Sequence, residues 1–91
     1  MAIIVHFQPT GMTASKYDKV IQLLEEAGLG KPQGRLHHLS YGNPENLSVV
    51  DVYDAPQSFE TFGQKLIPIL AGQGIDVGQP VVEDVHGRVT G

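Results

Sequence analysis

Apolar and polar residues alternate along this chain with two different periods, and the switches between them mark six elements. Ala2 to Gln8 is a short run rich in β-branched residues and reads as a strand. Pro9 ends it, because proline cannot donate to a ladder. Pro9-Thr10-Gly11 then forms a turn, and Thr13 offers a side-chain acceptor to the first N–H groups of a helix. In that helix Tyr17, Val20, Ile21, Leu24 and Ala27 recur at helical spacing and form one apolar face. Gly28 and Gly30 stop it. Arg35 to Tyr41 and Leu47 to Tyr53 return to the strand period on either side of Gly42-Asn43-Pro44-Glu45-Asn46, which predicts a hairpin. Val49, Val50 and Val52 put apolar groups on both sides of the second hairpin strand, as in a central strand.

The second half repeats the theme. Asp54, with Gln57 three residues later and Pro56 between them, predicts a capped helix start. Phe59, Phe62, Leu66, Ile69 and Leu70 are its apolar stripe. Pro68 is expected to kink or restart this helix. Gly72 and Gly74 close it, Val77 to Pro80 is loop, and Val81 to Val89 is the expected last strand. The order β-α-β-β-α-β with right-handed crossovers gives an α+β, ferredoxin-like fold. It is a four-stranded antiparallel sheet with two helices on one face. The other face keeps apolar side chains, which calls for a covering partner.

Length sharpens that expectation. Ninety-one residues make one domain, 1–91, and a chain of this size buries only about 60–65% of its unfolded surface. There is no cysteine to add a disulfide or a thiolate metal site. A second copy is the natural source of further burial, so a homodimer is expected. The net charge of −4 comes with only six scattered basic residues. Phosphate backbones and anionic membrane surfaces need clustered Lys and Arg, so neither nucleic acid nor membrane is an expected partner. The apolar start is short and lacks a basic flank, so the cytoplasm is the expected location.

The four histidines carry the candidate chemistry. His6 falls in the first strand, His37 and His38 in the second, and His86 in the last. Adjacent strand residues point to opposite faces, so His37 and His38 do not suit one ion, and no metal-ligand spacing is present. No metal and no cofactor are expected. A histidine beside a carboxylate suits general acid–base work instead. Asp51 can pair across the hairpin with either His37 or His38, and the register decides which. Tyr53 ends its strand where side chains reach the gap between sheet and helices. His6, His38 and Tyr53 are the catalytic candidates. Asp51, Phe62 and His86 are the candidates for touching a small apolar or aromatic ligand.

Val50 to Glu60, with Asp51-Val52-Tyr53-Asp54-Ala55-Pro56-Gln57-Ser58-Phe59 inside it, resembles the strand-to-helix signature of the dimeric α/β-barrel superfamily. Members often read hydrophobic-x-hydrophobic-Trp-x-Ser-x-x-x-Phe there. His6-Phe7, Gly11-Met12-Thr13, Pro32-Gln33-Gly34-Arg35-Leu36 and Val85-His86 are similar to motifs of its small bacterial members, and the likeness spans nearly the whole chain. It implies a homodimer of ferredoxin-like halves with pockets between sheet and helices. It also implies chemistry of the antibiotic-biosynthesis-monooxygenase type, or of isomerases and cyclases, on aromatic or polyketide-like compounds without a cofactor. Tyr53 stands where that signature has Trp. No His lies between Tyr53 and Val85 to serve as the haem ligand of the haem-degrading members, so that activity is disfavoured. The alternative is a non-catalytic protein that binds a small ligand or only oligomerises.

Overall fold

The computed structural model describes all 91 residues. In chain order the elements are β1 (Ile3–Phe7), α1 (Ala14–Glu26), β2 (Arg35–Asn43), β3 (Asn46–Tyr53), α2 (Pro56–Gly72) and β4 (Val81–Asp84). The strands form one antiparallel sheet in the order β2-β3-β1-β4. This is the ferredoxin-like α+β arrangement that the periodicity predicts.

Alternation along β1 and β3 decides what the helices cover. Ile3, Val5 and Phe7 are buried, as are Leu47, Val49, Asp51 and Tyr53. Val20 and Leu24 of α1 and Phe62 and Leu70 of α2 pack onto them in one apolar cluster. Each such side chain contributes about 1.5–3 kcal/mol on burial. Phe59 tilts against both Phe7 and Tyr53, with ring centroids 6.0 and 5.4 Å apart. The opposite face has no helix on it. It presents Ile4, Val50 and Val52 half-buried and Leu39, Tyr41 and Val81 exposed. So β3 is central, but apolar on both sides rather than buried on both sides.

The hairpin is tighter than its turn-rich sequence suggests. Asn43 pairs with Asn46, so only Pro44 and Glu45 lie outside the ladder. The Asn43 side chain accepts from the Glu45 N–H at 2.9 Å, holding the turn. The hairpin tip is tied to the loop after β1: the Ala14 N–H donates to Pro44 O at 2.7 Å, and the Leu47 N–H to Met12 O at 2.8 Å. Thr13 caps α1 as expected, accepting from the Lys16 N–H at 3.2 Å.

Beyond small shifts at strand ends, three features differ from the sequence reading. The N-cap of α2 is Ala55 and makes no side-chain bond. Asp54, the expected cap, instead accepts a 2.5 Å bond from the Ser58 hydroxyl while its own N–H donates to Gly34 O. Pro68 does not divide α2, which runs on to Gly72. Pro68 and Gln64, whose carbonyl loses its partner, are both exposed, so water can serve that carbonyl. Finally, β4 ends at Asp84 rather than Val89. Only β1 is available to pair with it, and β1 starts at Ile3, leaving the Val85 N–H to Ala2 O bond as the last contact.

Candidate functional site

The site begins with an irregularity in β2. Across the hairpin Arg35 faces Tyr53 and His37 faces Val52, so Leu36 is an extra residue opposite no partner. A bulge of this kind shifts the alternation by one. Arg35 and His38 therefore both face the helices, although three positions apart. His38 sits directly opposite Asp51. The register that the sequence left open is settled by this bulge: His38 turns inward and His37 lies exposed.

Four side chains then join in series. Tyr17 of α1 has its hydroxyl 2.7 Å from His38 Nε2. His38 Nδ1 lies 2.5 Å from Asp51 Oδ1. The Tyr53 hydroxyl donates to Asp51 Oδ2 at 3.1 Å. A buried carboxylate accepting at both oxygens requires the hydrogen of His38 to sit on Nδ1. In the neutral ring the lone pair then falls on Nε2, where the Tyr17 phenol can donate. The Tyr17 and His38 rings are nearly coplanar in direction, 5° apart, with centroids at 5.9 Å. Burial of Asp51 is tolerated because both oxygens are served, and no buried side-chain polar atom in the protein lacks a partner.

Tyr53 is fully buried. That burial, and then the Asp51 charge beside it, hold its hydroxyl protonated far above the usual phenol range. It is thus a fixed hydrogen-bond donor to Asp51 and lies behind the carboxylate rather than on the cavity.

A cavity of about 50 Å³ lies between sheet and helices, walled by Phe7, Met12, Val20, Val49, Phe62 and Leu66 on its apolar sides. Tyr17, His38, Asp51 and Arg35 form its polar edge. The Arg35 guanidinium stands over the Phe62 ring, 5.6 Å from the centroid, and donates to Gly30 O at 3.2 Å. It supplies the one positive side chain among the cavity walls. His38 keeps 20% of its side chain exposed, so the polar edge is reachable from outside.

Of the residues singled out in the sequence, His38, Asp51 and Phe62 come together on this cavity, and Tyr53 joins them through Asp51. His6 does not. Val5 and Phe7 face the helices, so the residue between them faces away. His6 stacks on Tyr41 on the helix-free face, with Nε2 2.6 Å from the Tyr41 hydroxyl. His86 is exposed beyond the end of β4. Tyr17 and Arg35 were not singled out. Tyr17 fell in an apolar helical stripe, and Arg35 looked like an isolated charge. A phenol on the stripe that packs over a histidine strand was the available signal for the first. No three His, Asp or Glu side chains gather as metal ligands, and no helix is long and apolar enough to cross a membrane.

The chain has the ferredoxin-like α+β arrangement, and solved structures share it. Among solved structures it is similar to the structural-genomics protein YJCS, with a TM-score of 0.70 at 12% identity over 94% of this chain and 100% of that one. It is similar to SnoaB from Streptomyces nogalater, a cofactor-independent oxygenase, with a TM-score of 0.63 at 10% identity over 97% and 94% of the two chains. A protein of Chloroflexus aurantiacus, provisionally described as an antibiotic biosynthesis monooxygenase, gives a TM-score of 0.61 at 18% identity over 98% and 95%. No family model and no curated protein matches the sequence.

Proposed function

We propose that this chain is a small-molecule enzyme of the cofactor-independent monooxygenase type, acting on an aromatic or polyketide-like compound at the sheet–helix cavity. The observation that carries the reading is His38 Nε2, a lone pair set at the cavity edge by the Asp51 bond to Nδ1. A base oriented by a buried carboxylate is the arrangement that proton abstraction needs. His38 takes the proton of a substrate hydroxyl or enol, and Arg35 lies on the same edge to face the oxyanion. Asp51 holds the tautomer, Tyr53 holds Asp51, and Phe62 offers a flat apolar wall. In the oxygenase reaction O₂ is the second substrate. One oxygen atom enters the organic molecule, the other leaves as water, and the organic molecule supplies the electrons and hydrogens. Proton transfer alone, without O₂, would make the same site an isomerase or cyclase.

The likeness to SnoaB, itself a cofactor-independent oxygenase, supports the first form of the reaction. Oxygen consumption with a panel of electron-rich phenols tests it. Wild type and His6→Ala are expected to turn over at similar rates, and His38→Gln at least about 100-fold more slowly. Equal rates for His38→Gln and wild type would remove the proposed base. One observation favours a second reading, a non-catalytic binder or oligomerisation module. The cavity, at about 50 Å³, is far smaller than an aromatic bicycle. That reading predicts ligand binding or self-association with no turnover of any panel member.

We further propose that the chain works as a homodimer, with the helix-free face of each copy packed on that of the other. Its support is the apolar row Ile4, Leu39, Val50, Val52 and Val81 on that face.

A further inference from the structure

We infer that Tyr17 is an internal ligand of the site, an intramolecular phenol that occupies the place of the substrate hydroxyl and sets which compounds can enter. The inference rests on the reading of His38 as the base and names what guards it.

Three observations meet at this side chain. First, the Tyr17 hydroxyl holds the position a substrate hydroxyl must take, 2.7 Å from His38 Nε2. Asp51 already engages Nδ1, so the imidazole has no second free nitrogen for a ligand. A ligand can reach the base only by displacing the phenol. Second, the cavity beside it holds about 50 Å³. That is space for a few waters and not for a ring, so an aromatic ligand needs the volume the Tyr17 ring now fills. Third, Tyr17 is only half-buried, in the first turns of α1, and His38 keeps 20% of its side chain exposed. Rotation of one side chain toward solvent opens the site without moving a helix or strand.

The exchange is one hydrogen bond for another. The Tyr17 O–H to Nε2 bond breaks, a ligand O–H to Nε2 bond forms, and Tyr17 finds water. A ligand with an acidic hydroxyl restores the bond at Nε2. A ligand without a donor leaves Nε2 unpartnered once the site is closed over it, which disfavours binding. His38 therefore favours phenols and enols over apolar compounds of the same shape, and Tyr17 sets how much affinity any of them needs to enter. Tyr17 also keeps a reactive base covered when no substrate is present. Neither role can be filled by phenylalanine, which keeps the ring and loses the donor.

The test uses 4-methylphenol, which copies the Tyr17 side chain, and toluene, which copies its ring. Affinities are measured by calorimetry for wild type, Tyr17→Phe, Tyr17→Ala, His38→Gln and the Tyr17→Phe/His38→Gln pair. Tyr17→Phe is expected to bind 4-methylphenol at least 10-fold more tightly than wild type, because the competitor is gone. Tyr17→Ala binds it at least as tightly as Tyr17→Phe, with ring space also free. Toluene meets the same competitor but makes no bond to Nε2, so it stays weaker than 4-methylphenol on every variant that keeps His38, and the gain for 4-methylphenol vanishes in the double variant. Unchanged or weaker binding of 4-methylphenol by Tyr17→Phe would overturn the inference, because Tyr17 would then be a wall or a helper rather than a competitor. The two failures are separable. If affinity depends on His38 but not on Tyr17, only this inference falls. If it is indifferent to His38→Gln as well, the assignment of the base falls with it.

Discussion

At the scale of single residues the decisive atom pair is His38 Nδ1 and Asp51 Oδ1. Asp51→Asn keeps the shape but removes the carboxylate that fixes the tautomer. Activity is expected to fall at least about 100-fold with folding retained, read by steady-state rates alongside circular dichroism. Tyr53 makes a different prediction, about pH. Its hydroxyl titrates near the ordinary 10.0 when unfolded and well above it when folded. Above pH 10 the unfolded chain therefore holds fewer protons than the native one, and stability falls as pH rises, by up to about 1.4 kcal/mol per pH unit. Below pH 10 that contribution is fully present. Denaturant titrations of Tyr53→Phe are expected to lose this part of the alkaline slope while costing about 1–3 kcal/mol at neutral pH, since Asp51 Oδ2 is left unpaired. The residue types of the site were legible in the sequence, but the choice of His38 over His37 was not. It hangs on the bulge at Leu36, and nothing in Arg35-Leu36-His37-His38 marks which residue steps out of the ladder.

At the scale of elements, local signals were read well where capping chemistry is unambiguous, as at Thr13. They failed where two partners compete for one side chain. Asp54 has the right type and spacing for a cap, but the Ser58 hydroxyl takes its carboxylate. Gly34 explains why the chain there is pinned. Its φ is +85°, and an added Cβ would run into Ser58 Oγ and lie 2.6 Å from Asp54 Oδ1. Gly34→Ala is expected to cost at least about 1–3 kcal/mol in thermal or urea unfolding. Pro68 predicts the opposite sign. It sits inside an unbroken α2 at an exposed position. Pro68→Ala restores an N–H for the Gln64 carbonyl, and is expected to stabilise by about 2 kcal/mol after the looser unfolded chain is counted. A lower melting temperature for Pro68→Ala would mean that the proline is fitted into α2 at no cost.

At the scale of the whole molecule, the order of elements was enough to give the sheet order, because few topologies join these elements without left-handed or crossing connections. The site was only half legible, since it is built from α1, β2 and β3 together and depends on which strand faces meet the helices. His6 shows the limit: one position along β1 carried it to the other side of the sheet. That helix-free face makes its own prediction. If the proposed dimer forms through it, wild type at micromolar concentration is expected to sediment at twice 9.8 kDa, and Leu39→Asp and Val50→Asp as monomers. The claim on which the rest depends is that His38 receives a proton from a hydroxyl bound at the cavity. Binding of 4-nitrophenol tests it directly, because its ionised form alone absorbs visible light strongly. At a fixed pH below the probe's own pKa, a larger ionised fraction is expected on wild type than in free solution, and no such increase on His38→Gln. An equal increase on both proteins, or none on wild type, would contradict it.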